Sequence, residues 1–378
     1  METGRRGILL VPTTIGICAA ILVFSGGECV PSPQHNHRYD YDIGMDLENQ
    51  PPSAHSRVRR STGRGTALDT WSCGTITTVP DEIRTDFPLD TFYQKYTHAY
   101  GIPIVSSNKT QDAALTRACY TVRFLLADRK DIRDAMYDQY GRVGVIAQTE
   151  RTTEIPEHSH LDSDDWDDRA RGLGGIPSIP ITTDGEENIL CKDLLQDRWY
   201  EEDVLIHEFA HAIHLISLNH INASFQQALN NIYEKAKEED LWLSTYAITN
   251  IKEYFAEGTQ GFFNVQTCRS FVDNIHNNIC TRDALKSYDL RLYDLIVEVF
   301  PCMNAIIDRC EDDQEELAAN QILRMNCDIP DTATDSTVYV TDVTASTVNV
   351  TDVTASTMTA TQGTPTSGTD CLYARWDR

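Results

Sequence analysis

The chain has 378 residues, and 57 aspartates and glutamates outnumber 32 lysines and arginines, for a formal net charge of −25. So acidic a chain lacks the basic patches that reward binding to nucleic acid or to an anionic membrane surface, and neither is expected as a partner. The length accommodates one large domain or two ordinary ones, with ample material for a core.

At the N-terminus, Arg5 and Arg6 precede a charge-free apolar run from Gly7 to Phe24, followed by Ser25, Gly26 and Gly27. That layout predicts a secretory signal peptide over 1–27. A run of this length also fits a membrane anchor through 7–24, a reading weakened by Pro12 and the two threonines after it. In both cases the rest of the chain faces the secretory lumen, and a secreted, extracellular protein is expected. Residues 28–60 are polar and without apolar periodicity, which predicts a disordered propeptide. They end in "RVRRSTGRG", where Arg57 to Arg60 resembles the basic site cut by furin-like convertases. A convertase-type processing protease acting at Arg60 is therefore an expected partner, with Ser61 as the mature start.

Residues 61–330 carry the globular pattern. Eight of the eleven cysteines fall there (Cys73, Cys119, Cys191, Cys268, Cys280, Cys302, Cys310, Cys327), an even number that predicts disulfides in an oxidising compartment without fixing their pairing. No two of them make a CxxC zinc pattern. Sequons stand at Asn108, Asn222 and Asn349. Strands are expected over 120–127 and 142–150, with an amphipathic helix over 128–140 between them. The Gly/Pro-rich stretch 172–188 reads as a loop, and helices are expected over 202–217, 223–238, 250–264 and 283–300. Strands early and helices late predict an α+β fold in which a small sheet covers a helical lobe. Strand 142–150 is expected to offer an edge to an extended peptide. Beyond Pro330, "VTDVTAST" occurs at 340–347 and again at 350–357 within a Thr/Ser-rich stretch. This predicts an O-glycosylated, mucin-like tail over 331–378.

The stretch "VLIHEFAHAIH" (204–214) carries the chemistry. In a helix, His207 and His211 lie one turn apart on the same face and can both reach one tetrahedral zinc ion. Glu208, about 100° round the helix, faces the position such an ion leaves open, where it can act on a water. Leu205, Ile206, Phe209, Ala210, Ile213 and Ile216 cover the other face. A zinc peptidase needs a third protein ligand. The long motif HExxHxxGxxH does not supply it, because His214 and Ser217 stand where its glycine and third histidine belong. "YAITNIKEYFAEGTQGFFN" (246–264) offers Glu253 and Glu257, again at i and i+4. One carboxylate can bind zinc while the other orients a ligating histidine.

"HEFAH" followed by "YAITNIKEYFAE" resembles the zincin metallopeptidases of the glutamate-ligand type, the group of the anthrax lethal factor catalytic domain. The close resemblance covers roughly 204–264. "GIPIVSS", "EIPEH" and "RARGLGGIP" are similar to secreted proteins with the same zinc helix, extending it to about 85–300. The resemblance implies a zincin-like domain in which His207, His211 and Glu253 bind Zn2+. It implies Glu208 as general base, Tyr246 as a phenol facing the reaction centre, and Glu257 as a carboxylate supporting the ligands. The implied activity is hydrolysis of peptide bonds in a peptide or protein substrate. Nothing resembles lethal factor's targeting or docking domains, so its substrates do not transfer. A non-catalytic zinc-binding scaffold on the same fold is the alternative, disfavoured because base, phenol and all three ligands are present.

Two further stretches receive plainer readings. His214 is expected behind the ligands or partly exposed, since a fourth ligand would close the open position. "HSHLDSDDWDD" (158–168) reads as a solvated acidic loop, its spacing unlike an EF-hand, and "GLGG" (172–175) as a flexible rim of the cleft.

Overall fold

The computed structural model describes residues 65–193 and 195–301. The signal segment, propeptide, Arg60 site, Thr/Ser-rich tail, Asn349, Cys302, Cys310 and Cys327 lie outside these residues. Within them the chain is a mixed α+β fold with one small sheet and several helices. A short helix α1 (Asp81–Asp86) leads to strands β1 (Lys95–Ala99) and β2 (Ile102–Ser106), then to helices α2 (Asp112–Leu125) and α3 (Lys130–Asp138). Strand β3 (Arg142–Ile146), helix α4 (Ser163–Arg169), strand β4 (Ile181–Gly185) and helix α5 (Glu186–Ile189) follow. The rest is helical: α6 (Val204–Ala212), running on as a π-helix through Ile213–Leu218, α7 (Asn219–Ile221), α8 (Ala223–Glu238), α9 (Ile251–Phe262), α10 (Arg282–Tyr288) and α11 (Leu290–Val299).

The sheet order is β1-β2-β3-β4, with β1 and β2 antiparallel and the remaining pairs parallel. The hairpin turns through Tyr100 and Gly101, both at positive φ (56° and 82°). A two-residue turn with this twist joins antiparallel strands without splaying them. Residues on β2, β3 and β4 are buried throughout. On β2, Ile102 and Ile104 enter the main core with α2 and α6, while Val105 faces a second core of Phe87, Tyr93, Trp166 and Leu173. The sheet is thus packed on both faces, where a cover over a helical lobe was expected. β3 is interior, paired to β2 and β4, so strand 142–150 offers no edge to a peptide. The outer strands are partly occupied too: Trp71 and Thr77 bridge to β1, and Leu173 bridges to Thr183 of β4.

Four other expectations are corrected. Residues 120–127 lie largely in α2, not in a strand: the local run of aromatic and β-branched residues is overridden by Ala114, Leu115, Ala118, Val122 and Leu125, buried at helical spacing. The 172–188 stretch contains β4 and α5, because a five-residue strand buried on both faces has no polar alternation to reveal it. Part of the acidic stretch 158–168 is helical, as α4, with Asp162 capping it by accepting from Asp164 N. The last expected helix is two, α10 and α11, divided at Asp289, which caps the second.

Disulfides Cys73–Cys119 and Cys268–Cys280 staple the N-terminal segment to α2 and close a loop after α9. Cys191 is also disulfide-bonded. Asn108 and Asn222 are exposed. Among the described residues no helix is long and apolar enough to cross a membrane.

His158, behind the sheet, is wholly buried with Nε2 3.1 Å from Thr183 Oγ1. Burial, only partly offset by Glu157, lowers its pKa to about 4. Because the folded value lies below the unfolded ~6.5, the neutral ring stabilises the fold fully above that pH. The contribution, on the order of 3 kcal/mol, is lost as pH falls towards 4. His158→Gln is therefore expected to lose less stability than the parent between pH 7 and pH 4.5, as read by urea unfolding. Equal losses would contradict this.

Candidate metal centre

α6 is built to be buried. Asp203 caps it, its Oδ1 accepting from Ile206 N at 2.9 Å, and every residue from Leu205 to Ala212 is buried. The helix packs against both β4 and α9. α9 is capped by Asn250, whose Oδ1 accepts from Lys252 N and Glu253 N at 2.9 and 3.1 Å. This cap fixes the turn that carries Glu253.

The three predicted ligands converge. His207 Nε2 lies 2.9 Å from Glu253 Oε2. His211 Nε2 lies 3.2 Å from His207 Nε2 and 3.2 Å from Glu253 Oε2. A tetrahedral zinc with bonds of ~2.0–2.1 Å sets its donors about 3.3 Å apart, close to these separations. Electrostatics agrees with the geometry. Burial opposes charge on His207, yet the Glu253 hydrogen bond and the charges of Glu253, Glu208 and Glu257 outweigh it and favour a positive charge at this spot. Glu253 is likewise held ionised against burial by His211 and His207. A buried group of two imidazoles and a carboxylate arranged so could hold a metal ion.

The other expected residues surround this cluster. Glu208 lines a cleft of about 550 Å³ together with His207, Tyr246, Trp199, Ile275 and His276. Burial raises its pKa, opposed by the two histidines and by a hydrogen bond from the Gly174 backbone. Tyr246 stacks on the His207 ring (6.2 Å between centroids, 17° between planes) and donates its backbone N–H to Ile275 O at 2.8 Å. Burial first, then Glu253, Glu208 and Glu257, lift its pKa far above the ordinary value, so the phenol keeps its proton. Glu257 stands 3.4 Å from His207 Nδ1 and accepts from Gln266 Nε2; burial above all raises its pKa to about 7.

His214 is fully buried between Phe225 and Phe255, its Nε2 2.8 Å from Gln226 Oε1. It packs in the core instead of at the cleft. The GLGG stretch is a buried wall laid on α6, not a flexible rim. A Cβ on Gly174 would come within 2.5 Å of His211 Cβ, and one on Gly172 within 2.8 Å of Thr183 O and Val204 Cγ1. Only glycine lets the backbone come this close.

Sequence reading missed Gln260, whose Oε1 is 2.9 Å from His207 Nδ1, although i+7 from Glu253 places it on the same helix face. It also missed the pair Glu202–His276 in the cleft wall (3.4 Å), for which the sequence holds no signal because the partners meet only through the fold. Compared with known proteins, the chain matches no family model and no curated sequence.

Proposed function

We propose that the protein is a secreted, zinc-dependent endopeptidase with a zincin-like domain. The observation that carries this reading is the convergence of His207, His211 and Glu253 beside Glu208 and Tyr246 in one cleft. In this reading the three converging side chains hold Zn2+. When bound there, zinc would supply Lewis acidity and bring the pKa of water down to ~7. Glu208 takes the proton of the attacking water on its carboxylate and returns it to the nitrogen of the leaving amine. Tyr246, protonated and buried, donates its O–H to the carbonyl oxygen of the peptide as that oxygen gains charge. Trp199 and Ile275 give the cleft apolar wall area that excludes water around the scissile bond. The disulfides support passage through an oxidising compartment.

The test is incubation of the full-length protein with a mixed peptide library, with new termini read by mass spectrometry in the presence and absence of a zinc chelator. Chelator-sensitive cleavage is expected. Zinc bound without cleavage of any peptide would instead favour a binding scaffold.

A further inference from the structure

Gln260 does something for which its residue type is unusually informative. Its side-chain amide is oriented by its surroundings. On one side lie two groups that can only accept, the Asp203 backbone carbonyl at 3.0 Å and Glu202 Oε2 at 3.4 Å, so the NH2 must point there. The carbonyl end then faces His207 Nδ1 at 2.9 Å. An amide oxygen can only accept, so Nδ1 carries a hydrogen and Nε2, facing His211 and Glu253, is the nitrogen left to serve a metal ion. The tautomer of His207 is thus set by a chain that begins at a backbone carbonyl of the α6 cap.

We propose that Gln260 is the positioning residue that fixes the His207 ring and tautomer for metal binding, in place of Glu257. This rests on the metal centre proposed above. Two acceptors compete for the one Nδ1–H, and Gln260 is the nearer, at 2.9 Å against 3.4 Å for Glu257 Oε1. Glu257 accepts from Gln266 through its other oxygen, Oε2, so the shorter distance is what favours Gln260. A neutral amide also suits the site's charge. Glu202, Glu208, Glu253 and Glu257 are all buried nearby, and a further carboxylate at 260 would add repulsion among them. Gln260 itself is clamped: Glu202 Oε2, which it faces, also lies 3.4 Å from His276 Nε2 on the Cys268–Cys280 loop.

Zinc affinity and the thermal stability of the metal-free form separate this role from simple core filling. Both would be measured on the full-length protein, affinity by titration against a chromophoric chelator. Gln260→Met fills the space without an acceptor and is expected to bind zinc ~10–100-fold more weakly. Gln260→Glu keeps an acceptor for Nδ1–H and is expected to recover most of that affinity. Its metal-free form, with a carboxylate against Asp203 O and Glu202, should nonetheless melt below the Met variant. A filling role would make the Glu variant the weaker in both measurements. Glu257→Gln is expected to weaken zinc less than Gln260→Met does, and these two variants decide the matter if Gln260→Glu does not fold. Parental affinity in Gln260→Met, or a larger loss in Glu257→Gln, would overturn the role of Gln260 while leaving the metal centre standing. Failure of the parent to bind zinc would remove the centre and this role together.

Discussion

Glu208→Gln is expected to lower kcat/KM on any cleaved peptide by ~10²–10⁴, the usual range for loss of a general acid–base group. The reason is positional. Glu208 lies on α6 between His207 and His211 and lines the same cleft, but it is not among the three converging donors. The amide is close in size and can still accept the Gly174 contact, so the helix and the metal group should survive. What it cannot do is take a proton. The variant should therefore hold as much zinc as the parent and bind peptide, with the loss falling on kcat. Parental rates in the variant would contradict the role assigned to Glu208. Loss of zinc along with activity would show that it supports the centre structurally.

The largest expected effect on stability lies on the far side of the sheet. Arg142, the first residue of β3, is 2 % exposed, and its Nη2 meets Glu157 Oε1 at 2.8 Å. Tyr93, also buried, donates its hydroxyl to the other oxygen of Glu157. Burial opposes the charge on Glu157, but Arg142 and Tyr93 more than offset it and hold the carboxyl below its usual range. Glu157→Gln leaves the guanidinium buried without a countercharge, a change that costs ~3–5 kcal/mol and should lower the melting temperature by roughly 10 °C. Differential scanning calorimetry reads this directly. A shift no larger than that of an exposed-site variant would mean the pair adds nothing to the fold.

How much could be read from sequence alone depended on how local the signal was. The α6 histidines, Glu208 and Glu253 were legible because helical spacing translates directly into a shared face, and because α8 and α9 carry long amphipathic patterns. Asp203 and Asn250 stand at N-cap positions and were readable in principle. The sheet was largely illegible. β2 and β4 are five residues each and buried on both faces, so they lack the alternation that marks a half-buried strand. Residues 120–127, which lie largely in α2, read as a strand because tertiary packing overrides local preference there. The GLGG stretch looked like a mobile loop because glycine also marks turns. Its actual reason, close approach to His211, exists only once α6 lies beside it.

The most direct test of the central claim is the metal content of the purified full-length protein beside Glu253→Gln, by elemental mass spectrometry after dialysis. If His207, His211 and Glu253 form a zinc centre, the parent carries one zinc per chain and the variant, with a weaker neutral oxygen in the third position, loses most of it. A parent without zinc, or a variant that retains it fully, would contradict the centre.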